Sequence, residues 1–214
     1  MQPDTVIRVL LVDDHAVVRN GVRLMLGTGP DIEVAGEAQT ASDALLLAKA
    51  QPFDVALIDI ALPDRNGLEL LKSLRMQQPA LAVLMLSIYA EEVYALRAIK
   101  HGAAGYLTKN VSTETLLAAV RKAHSGGKFI TPALAERFAE HLGDASGTPH
   151  EALSDRELEV LKLIAGGESL AHIAAVLHLS PNTVTTYRAR ICQKIGLKSN
   201  AQLTRYALDH GLLL

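Results

Sequence analysis

Five polar residues stand where short apolar runs of the chain break off. Asp13 and Asp14 follow Ile7–Val12, Asp59 lies at the end of Val55–Ile60, Ser87 follows Ala82–Leu86, and Lys109 comes after Gly105–Leu107. Carboxylates brought together repel one another unless positive charge sits among them. A hard divalent cation such as Mg²⁺ prefers oxygen ligands and keeps several waters. Asp13, Asp14 and Asp59 offer it two direct ligands and one water-mediated contact. Lys109 adds a fixed positive charge facing an incoming anion, and Ser87 adds a hydroxyl donor. Such a set suits phosphoryl transfer to a carboxylate, in which cation and ammonium neutralise the phosphoryl oxygens while an aspartate attacks. The Asp13-Asp14 pair alone is equally a solvated strand end or a helix cap. The reading rests on all five being placed together.

The elements that must position them are legible. The three strongest apolar runs are rich in Val, Ile and Leu and read as strands buried on both faces. Ile32–Ala38 and Gly105–Leu107 read as weaker strands. Helical patterns fall between and after them at Ala16–Leu26, Ser42–Ala50, Gly67–Arg75, Glu91–Lys100 and Ser112–His124. Ser112 is a natural N-cap, and Gly126-Gly127 a stop. Five β-then-α units predict an α/β fold: a doubly wound, five-stranded parallel sheet with helices on both faces. In such sheets the functional crevice lies outside the carboxyl ends of the strands, where the five polar residues fall. His15 begins the first helix and is assigned no chemical role.

After Gly127 the pattern changes. Pro132–Leu142 reads as one helix, and the turn-rich Gly143–His150 closes a linker. From Leu153 onward four helices and no strand are expected. Ser154 caps the first, with Glu157 completing a capping box. Ser169 caps the second, Ser180 the third with Pro181 at its first position, and Asn200 opens the fourth. The expected organisation is a first domain over 1–127, a linker with a helix over 128–150, and a smaller all-α domain over 151–214. In that last part Leu170–Leu177, a short turn and Asn182–Ile195 fit a helix-turn-helix, whose second helix enters the DNA major groove. Val184, Tyr187 or Arg188, Ile191 and Ile195 form its core stripe. The other side carries Asn182, Thr185, Thr186, Ala189, Arg190, Gln193 and Lys194, which are donors and small groups suited to groove and phosphate contacts.

Charge and composition narrow the function further. Residues 169–208 contain no acid but hold Arg188, Arg190, Lys194, Lys198 and Arg205, a phosphate-seeking patch hidden by a net charge of −2 for all 214 residues. With 15 glycines and 8 prolines the chain is not low-complexity. The absence of Trp argues against an aromatic sugar-binding surface. A single cysteine, Cys192, excludes an intramolecular disulfide and fits a reducing, cytoplasmic location; it reads as inert. The N-terminus lacks the basic region of a signal peptide, and no apolar stretch approaches the ~18 residues of a membrane span, so no membrane partner is expected.

The segments LLVDDH (Leu10–His15), LIDIALPDRNG (Leu57–Gly67), MLSIYAEE (Met85–Glu92) and GAAGYLTK (Gly102–Lys109) together resemble the receiver domain of bacterial two-component response regulators. The resemblance implies that Asp59 is the phosphoacceptor, with a phosphohistidine of a sensor histidine kinase as donor. It implies that Asp14 and Asp59 ligate Mg²⁺ directly, Asp13 through water and Ala61 through its backbone carbonyl. Ser87 and Tyr106 would be a switch pair, and Lys109 would contact the phosphoryl group. Pro63 and Gly67 match the family's loop after the phosphoacceptor. Without the resemblance, Tyr106 reads as a packing tyrosine.

Residues 153–197, from LSDRE through SPNTV to KIGL, are similar to a LuxR-type helix-turn-helix. The two together resemble the NarL/FixJ architecture, closest to its GacA/UvrY/BvgA-like branch. DNA contacts are then expected from Asn182, Thr183, Thr185, Thr186, Arg188, Ala189, Arg190 and Lys194. Many relatives carry Lys and His where this chain has Thr185 and Tyr187, and losing that Lys removes a usual groove contact. The resemblance implies promoter DNA and RNA polymerase as partners. It also implies a homodimer on phosphorylation, with Leu203, Tyr206 and Ala207 of the last helix as a dimer surface. No metabolic activity is expected beyond Mg²⁺-dependent self-phosphorylation and self-dephosphorylation. Two rivals remain at this point: a regulator whose receiver no longer takes phosphate, and an Mg²⁺-dependent phosphatase-like enzyme. The complete acidic set opposes the first. The lack of any cap segment, and a basic helix-turn-helix without purpose, oppose the second.

Overall fold

The structure, a computed structural model, describes residues 6–87, 91–132, 134–136 and 148–213, with the side chains of 91–93 left out. The chain divides into two compact units, Met1–Glu136 and Arg137–Leu214.

The first unit is the expected doubly wound α/β fold. Its strands are β1 (Ile7–Val12), β2 (Ile32–Ala38), β3 (Val55–Ile58), β4 (Ala82–Ser87) and β5 (Gly105–Thr108). They form one sheet in the order β2-β1-β3-β4-β5, every pair parallel. The helices are α1 (Ala16–Leu26), α2 (Ala41–Ala50), α3 (Gly67–Gln77), α4 (Glu91–Lys100) and α5 (Thr113–His124). Successive strand side chains point to opposite faces. Ile7, Val9 and Leu11 of β1, Val55 and Leu57 of β3, Leu84 and Leu86 of β4 and Leu107 of β5 form one apolar cluster with Val22 and Leu26 of α1 and Leu116, Ala119 and Val120 of α5. Leu10, Val12, Ala56, Ile58, Val83, Met85 and Tyr106 therefore take the other face, and all of them are buried. That burial on both faces is why β1, β3 and β4 are nearly continuous apolar runs.

β3 stops two residues short of the expected Ile60. Asp59 N still bonds Val12 O, but Gly67 N closes back onto Ile60 O, so the chain has already turned and Asp59 stands just beyond the strand. β4 runs one residue further than expected, to include Ser87. The unit continues past Gly127: Phe129 N donates to Ala104 O, and Leu134 is buried. The expected helix Pro132–Leu142 lies in part outside the described residues.

In the second unit a 3₁₀ turn (Pro149–Ala152) precedes α6 (Asp155–Ala165), α7 (Leu170–Val176), α8 (Pro181–Ile195) and α9 (Asn200–Asp209). Ser154 and Glu157 form the expected capping box, and Ser169 and Ser180 cap as expected. The cap of α9 is Ser199, whose partner in a capping box is Gln202. Leu158, Leu161, Ile164, Ile173, Val184, Ile191, Leu203 and Ala207 fill the core.

Candidate functional site: an acidic rim and a basic helix

Backbone bonds at the carboxyl ends of the strands bring the first site together. Asp13 N bonds Ala38 O, Asp59 N bonds Val12 O, and Lys109 N bonds Ser87 O at 2.9 Å. Ser87 pairs with Thr108 in register. Gly67 permits the tight loop behind Asp59, because a Cβ there would lie 2.0 Å from the Asp59 carbonyl oxygen.

Asp13 and Asp59 are each only 2% exposed. The Lys109 ammonium lies between them, its Nζ 2.7 Å from Asp13 Oδ2 and 2.7 Å from Asp59 Oδ2. The His15 backbone N–H donates to Asp13 Oδ1, and His15 Nδ1 lies 2.7 Å from Asp14 Oδ1. One ligand atom from each of Asp13, Asp14, His15 and Asp59 falls within 4.8 Å of all the others. Burial pushes the Asp59 carboxyl above the ordinary carboxylate range; the Lys109 hydrogen bond and charge oppose this, and the Asp13 charge adds to it. For Lys109, burial alone would lower the ammonium, but hydrogen bonds to Asp13 and Asp59 outweigh it and hold the group protonated.

This arrangement fits a hard divalent cation. Among the described residues three carboxylates face the single Lys109 ammonium, and Asp59 Oδ1 is buried without a hydrogen-bond partner. Anionic oxygens in that condition are costly unless a cation covers them. Ala61 follows in the loop after β3, and its peptide N–H favours the charged form of Asp59. Ser87 and Tyr106 are both fully buried, Ser87 at the rim and Tyr106 one strand over, paired with Met85.

Two supporting residues carried no signal in the sequence. Arg19 donates to the Asp13 carbonyl at 2.7 Å and pairs with Glu37, which pins the acidic loop. Asp64 accepts from Ala41 N, Ser42 N and Ser42 Oγ, tying the loop after Asp59 to the start of α2. Neither contact follows a local spacing. The Asp64 contact spans more than 20 residues, and only the register of β1, β2 and β3 brings its partners together.

The second site is the outer side of α8. Asn182, Thr185, Thr186, Ala189, Arg190, Gln193 and Lys194 are exposed, whereas Val184, Ile191 and Ile195 are buried and Tyr187 and Arg188 half-buried. Asn182, Thr183, Thr186, Tyr187 and Arg190 line an open concavity of about 330 Å³. Two of the cations expected to contact DNA are already engaged. Lys194 Nζ lies 2.6 Å from Glu157 Oε2, and Arg188 Nε donates to Asn200 Oδ1 at 2.6 Å. Leu203 and Ala207 are fully buried, so within α9 they serve the unit's own core. Tyr206, half-buried, bonds His150 Nδ1 at 3.0 Å through its hydroxyl and stacks at 4.2 Å on His210. Leu208 is the large apolar residue of α9 that is exposed.

A five-stranded sheet in this order, with paired acids, a buried aspartate and a lysine on one rim, followed by a helix-turn-helix, defines a receiver-type α/β unit with a helix-turn-helix module. Comparison with known proteins agrees. Residues 9–121 match the response regulator receiver domain and residues 151–207 the bacterial regulatory proteins of the luxR family. The chain is 35% identical to the response regulator GacA of Pseudomonas protegens over 97% of its own length and 98% of that protein's. It is 34% identical to the response regulator UvrY of Escherichia coli O6:H1 over 96% and 95%. The crystal structure of ChrA, a response regulator in a haem-sensing two-component system, is 33% identical with a TM-score of 0.54, covering 97% of this chain and 99% of that one. The fold of RcsB from Salmonella enterica serovar Typhimurium, solved bound to a promoter in the presence of the phosphomimetic BeF3−, matches with a TM-score of 0.68 at 22% identity over 94% and 98%. The chain belongs to the NarL/FixJ family of two-component response regulators, in the branch of GacA and UvrY. It is a two-component, DNA-binding transcription regulator.

Proposed function

We propose that Asp59 is the phosphoacceptor of this regulator and that its phosphorylation changes dimerisation and promoter binding. The observation that carries this reading is the Asp59 carboxylate itself: one oxygen held by Lys109, the other buried without a hydrogen-bond partner among the described residues. A carboxylate oxygen of Asp59 attacks the phosphorus of a phosphohistidine on a sensor histidine kinase. The P–N bond breaks, and the donor imidazole leaves with the electron pair and takes up a proton. Lys109, already within reach of Asp59, turns to the phosphoryl oxygens. Asp14 and Asp59, with Asp13 through water and the Ala61 carbonyl, would hold Mg²⁺, which supplies charge neutralisation to the transferring group.

The aspartyl phosphate adds about −1.5 to −2 charges and strong acceptors. Ser87 moves toward them, and Tyr106 fills the space that Ser87 leaves. The surface built by α4, β5 and α5 changes with it. DNA is held by α8 through Asn182, Thr183, Thr185, Thr186, Ala189 and Arg190, with Arg188 and Lys194 at its margins. A second copy docks through α9, where Tyr206 and Leu208 present the outward part of the helix. The receiver spans 1–127, the 128–150 linker begins bonded to it through Phe129, and 151–214 is the DNA-binding domain. RNA polymerase is the partner downstream, the setting is the cytoplasm, and the chain turns over no substrate beyond its own phosphoryl group.

The test is intact-protein mass after incubation with Mg²⁺ and acetyl phosphate, with sizing of the same samples and Asp59→Asn as control. One added phosphoryl group in the wild type alone, with a shift to dimer, is expected. An equal gain in Asp59→Asn overturns the assignment. Where acetyl phosphate adds nothing, phosphotransfer from a panel of autophosphorylated sensor kinases replaces it, and failure with all of them favours a receiver that no longer takes phosphate.

A further inference from the structure

The outer face of α8 is poorer in donors than its sequence implies. Thr185 Oγ1 donates to Pro181 O at 3.0 Å, and Thr186 Oγ1 donates to Asn182 O at 3.0 Å. With both hydroxyl hydrogens committed to the helix backbone, these residues meet a partner through their γ-methyl groups and oxygen lone pairs. Ala189 lies one turn further on, at the i+4 and i+3 positions from Thr185 and Thr186, which share a helix face. All three residues are exposed. The neighbouring cations are drawn aside, Lys194 to Glu157 and Arg188 to Asn200. What remains is a small methyl surface bordered by the Asn182 and Gln193 amides and the Arg190 guanidinium.

In the major groove, guanine presents acceptors that call for donors, whereas thymine presents a 5-methyl group that calls for apolar contact. We propose that Thr185, Thr186 and Ala189 read thymine 5-methyl groups, so the base preference of this chain is set by apolar contact while Arg190 anchors the helix beside them. The inference rests on α8 being the DNA-contacting helix.

The test uses the full-length chain treated with Mg²⁺ and acetyl phosphate. A preferred duplex is selected from a randomised pool. Each thymine is then replaced singly by deoxyuridine, which removes only the methyl, and Kd is measured at fixed salt. At two or more positions the loss of one methyl weakens binding about three- to five-fold. In Thr186→Ser, which keeps the hydroxyl and deletes the methyl, the penalty at one of these positions falls toward one. In Thr186→Val, which keeps a methyl and deletes the hydroxyl, the penalty persists; Thr185 is treated in the same way. Uracil duplexes that bind like their thymine parents overturn the proposal. So does a penalty that follows the hydroxyl, lost in Val and kept in Ser. If selection yields no duplex bound above non-specific affinity, the DNA-contact reading of α8 fails and takes this inference with it.

Discussion

The Lys109 ammonium stands 2.7 Å from carboxylate oxygens of both Asp13 and Asp59, yet one cation cannot satisfy three acids. Burial first, and then the Asp13 charge, hold the Asp59 carboxyl above its ordinary value of 3.8 against the opposing pull of Lys109. A carboxyl with a raised folded-state pKa binds protons more readily in the folded than in the unfolded chain. Its charged form therefore costs stability at neutral pH, and the cost disappears as pH falls through the raised pKa toward 3.8. Asp59→Asn is expected to melt higher than wild type at pH 7 without divalent cations, by the few degrees that about 1 kcal/mol gives in a chain of this size. The advantage should shrink as the pH is lowered toward 4. Millimolar Mg²⁺ should raise the wild-type melting temperature and leave the variant nearly unmoved. Thermal melts at several pH values, with and without Mg²⁺, check this; a variant that melts lower at pH 7 would show that the Lys109 pairing outweighs burial.

At the scale of elements, two small features hold the sites in place. Any side chain at Gly67 meets the Asp59 carbonyl at 2.0 Å, so the start of α3 must move away. Gly67→Ala is expected to cost about 3 kcal/mol in a urea melt of the first unit, with acetyl phosphate labelling of Asp59 lost in parallel. In the second unit, Glu157 closes the α6 capping box and binds Lys194 of α8. Burial alone would raise its carboxyl, but the Lys194 and Ser154 hydrogen bonds together hold it below its ordinary value of 4.5. A lowered carboxylate contributes stability that is present above pH 4.5 and lost as pH falls through its folded value. Glu157→Gln should cost about 1 kcal/mol at pH 7 and flatten the loss of stability of this unit below pH 4.5, as read by circular dichroism. Elements of this kind were legible in advance because their signals are local: apolar runs bounded by acids, and Ser112, Ser154, Ser169 and Ser180 at helix starts, with Glu157 three residues after Ser154. The rim followed, since its residues sit at strand ends. The contacts of Asp64 with α2 and of Tyr206 with His150 were not legible, because residues remote in sequence meet there only once the fold exists. Leu203 and Ala207 were assigned to a dimer surface for a related reason: one apolar face must serve both core and partner, and only packing tells which residue does which.

At the scale of the whole molecule, the receiver's chemistry has to reach the DNA-binding unit, and association of two copies is one route. Cations that neutralise phosphates release counterions, so the logarithm of the binding constant falls with the logarithm of salt at a slope of about −0.9 per phosphate contacted. On the proposed reading of α8, a unit acting alone contacts a fixed set of phosphates through Arg190 and its neighbours. Two copies on a two-fold site contact twice as many. If phosphorylation acts by pairing the protein, binding by the phosphorylated chain should show about twice the salt slope of the untreated chain on the same duplex, and Asp59→Asn should keep the single-copy slope under phosphodonor. If phosphorylation instead uncovers a module that was already able to bind, affinity rises while the slope stays the same. Arg190→Ala provides the internal scale. It should reduce the slope by about 1 in the single-copy regime and about 2 in the paired one, whereas Lys194→Ala, whose ammonium is held by Glu157, should change it little. Fluorescence anisotropy titrations across a range of potassium chloride concentrations measure these slopes. A phosphorylated wild type whose slope matches that of Asp59→Asn would place the switch in exposure of α8 and not in dimer formation.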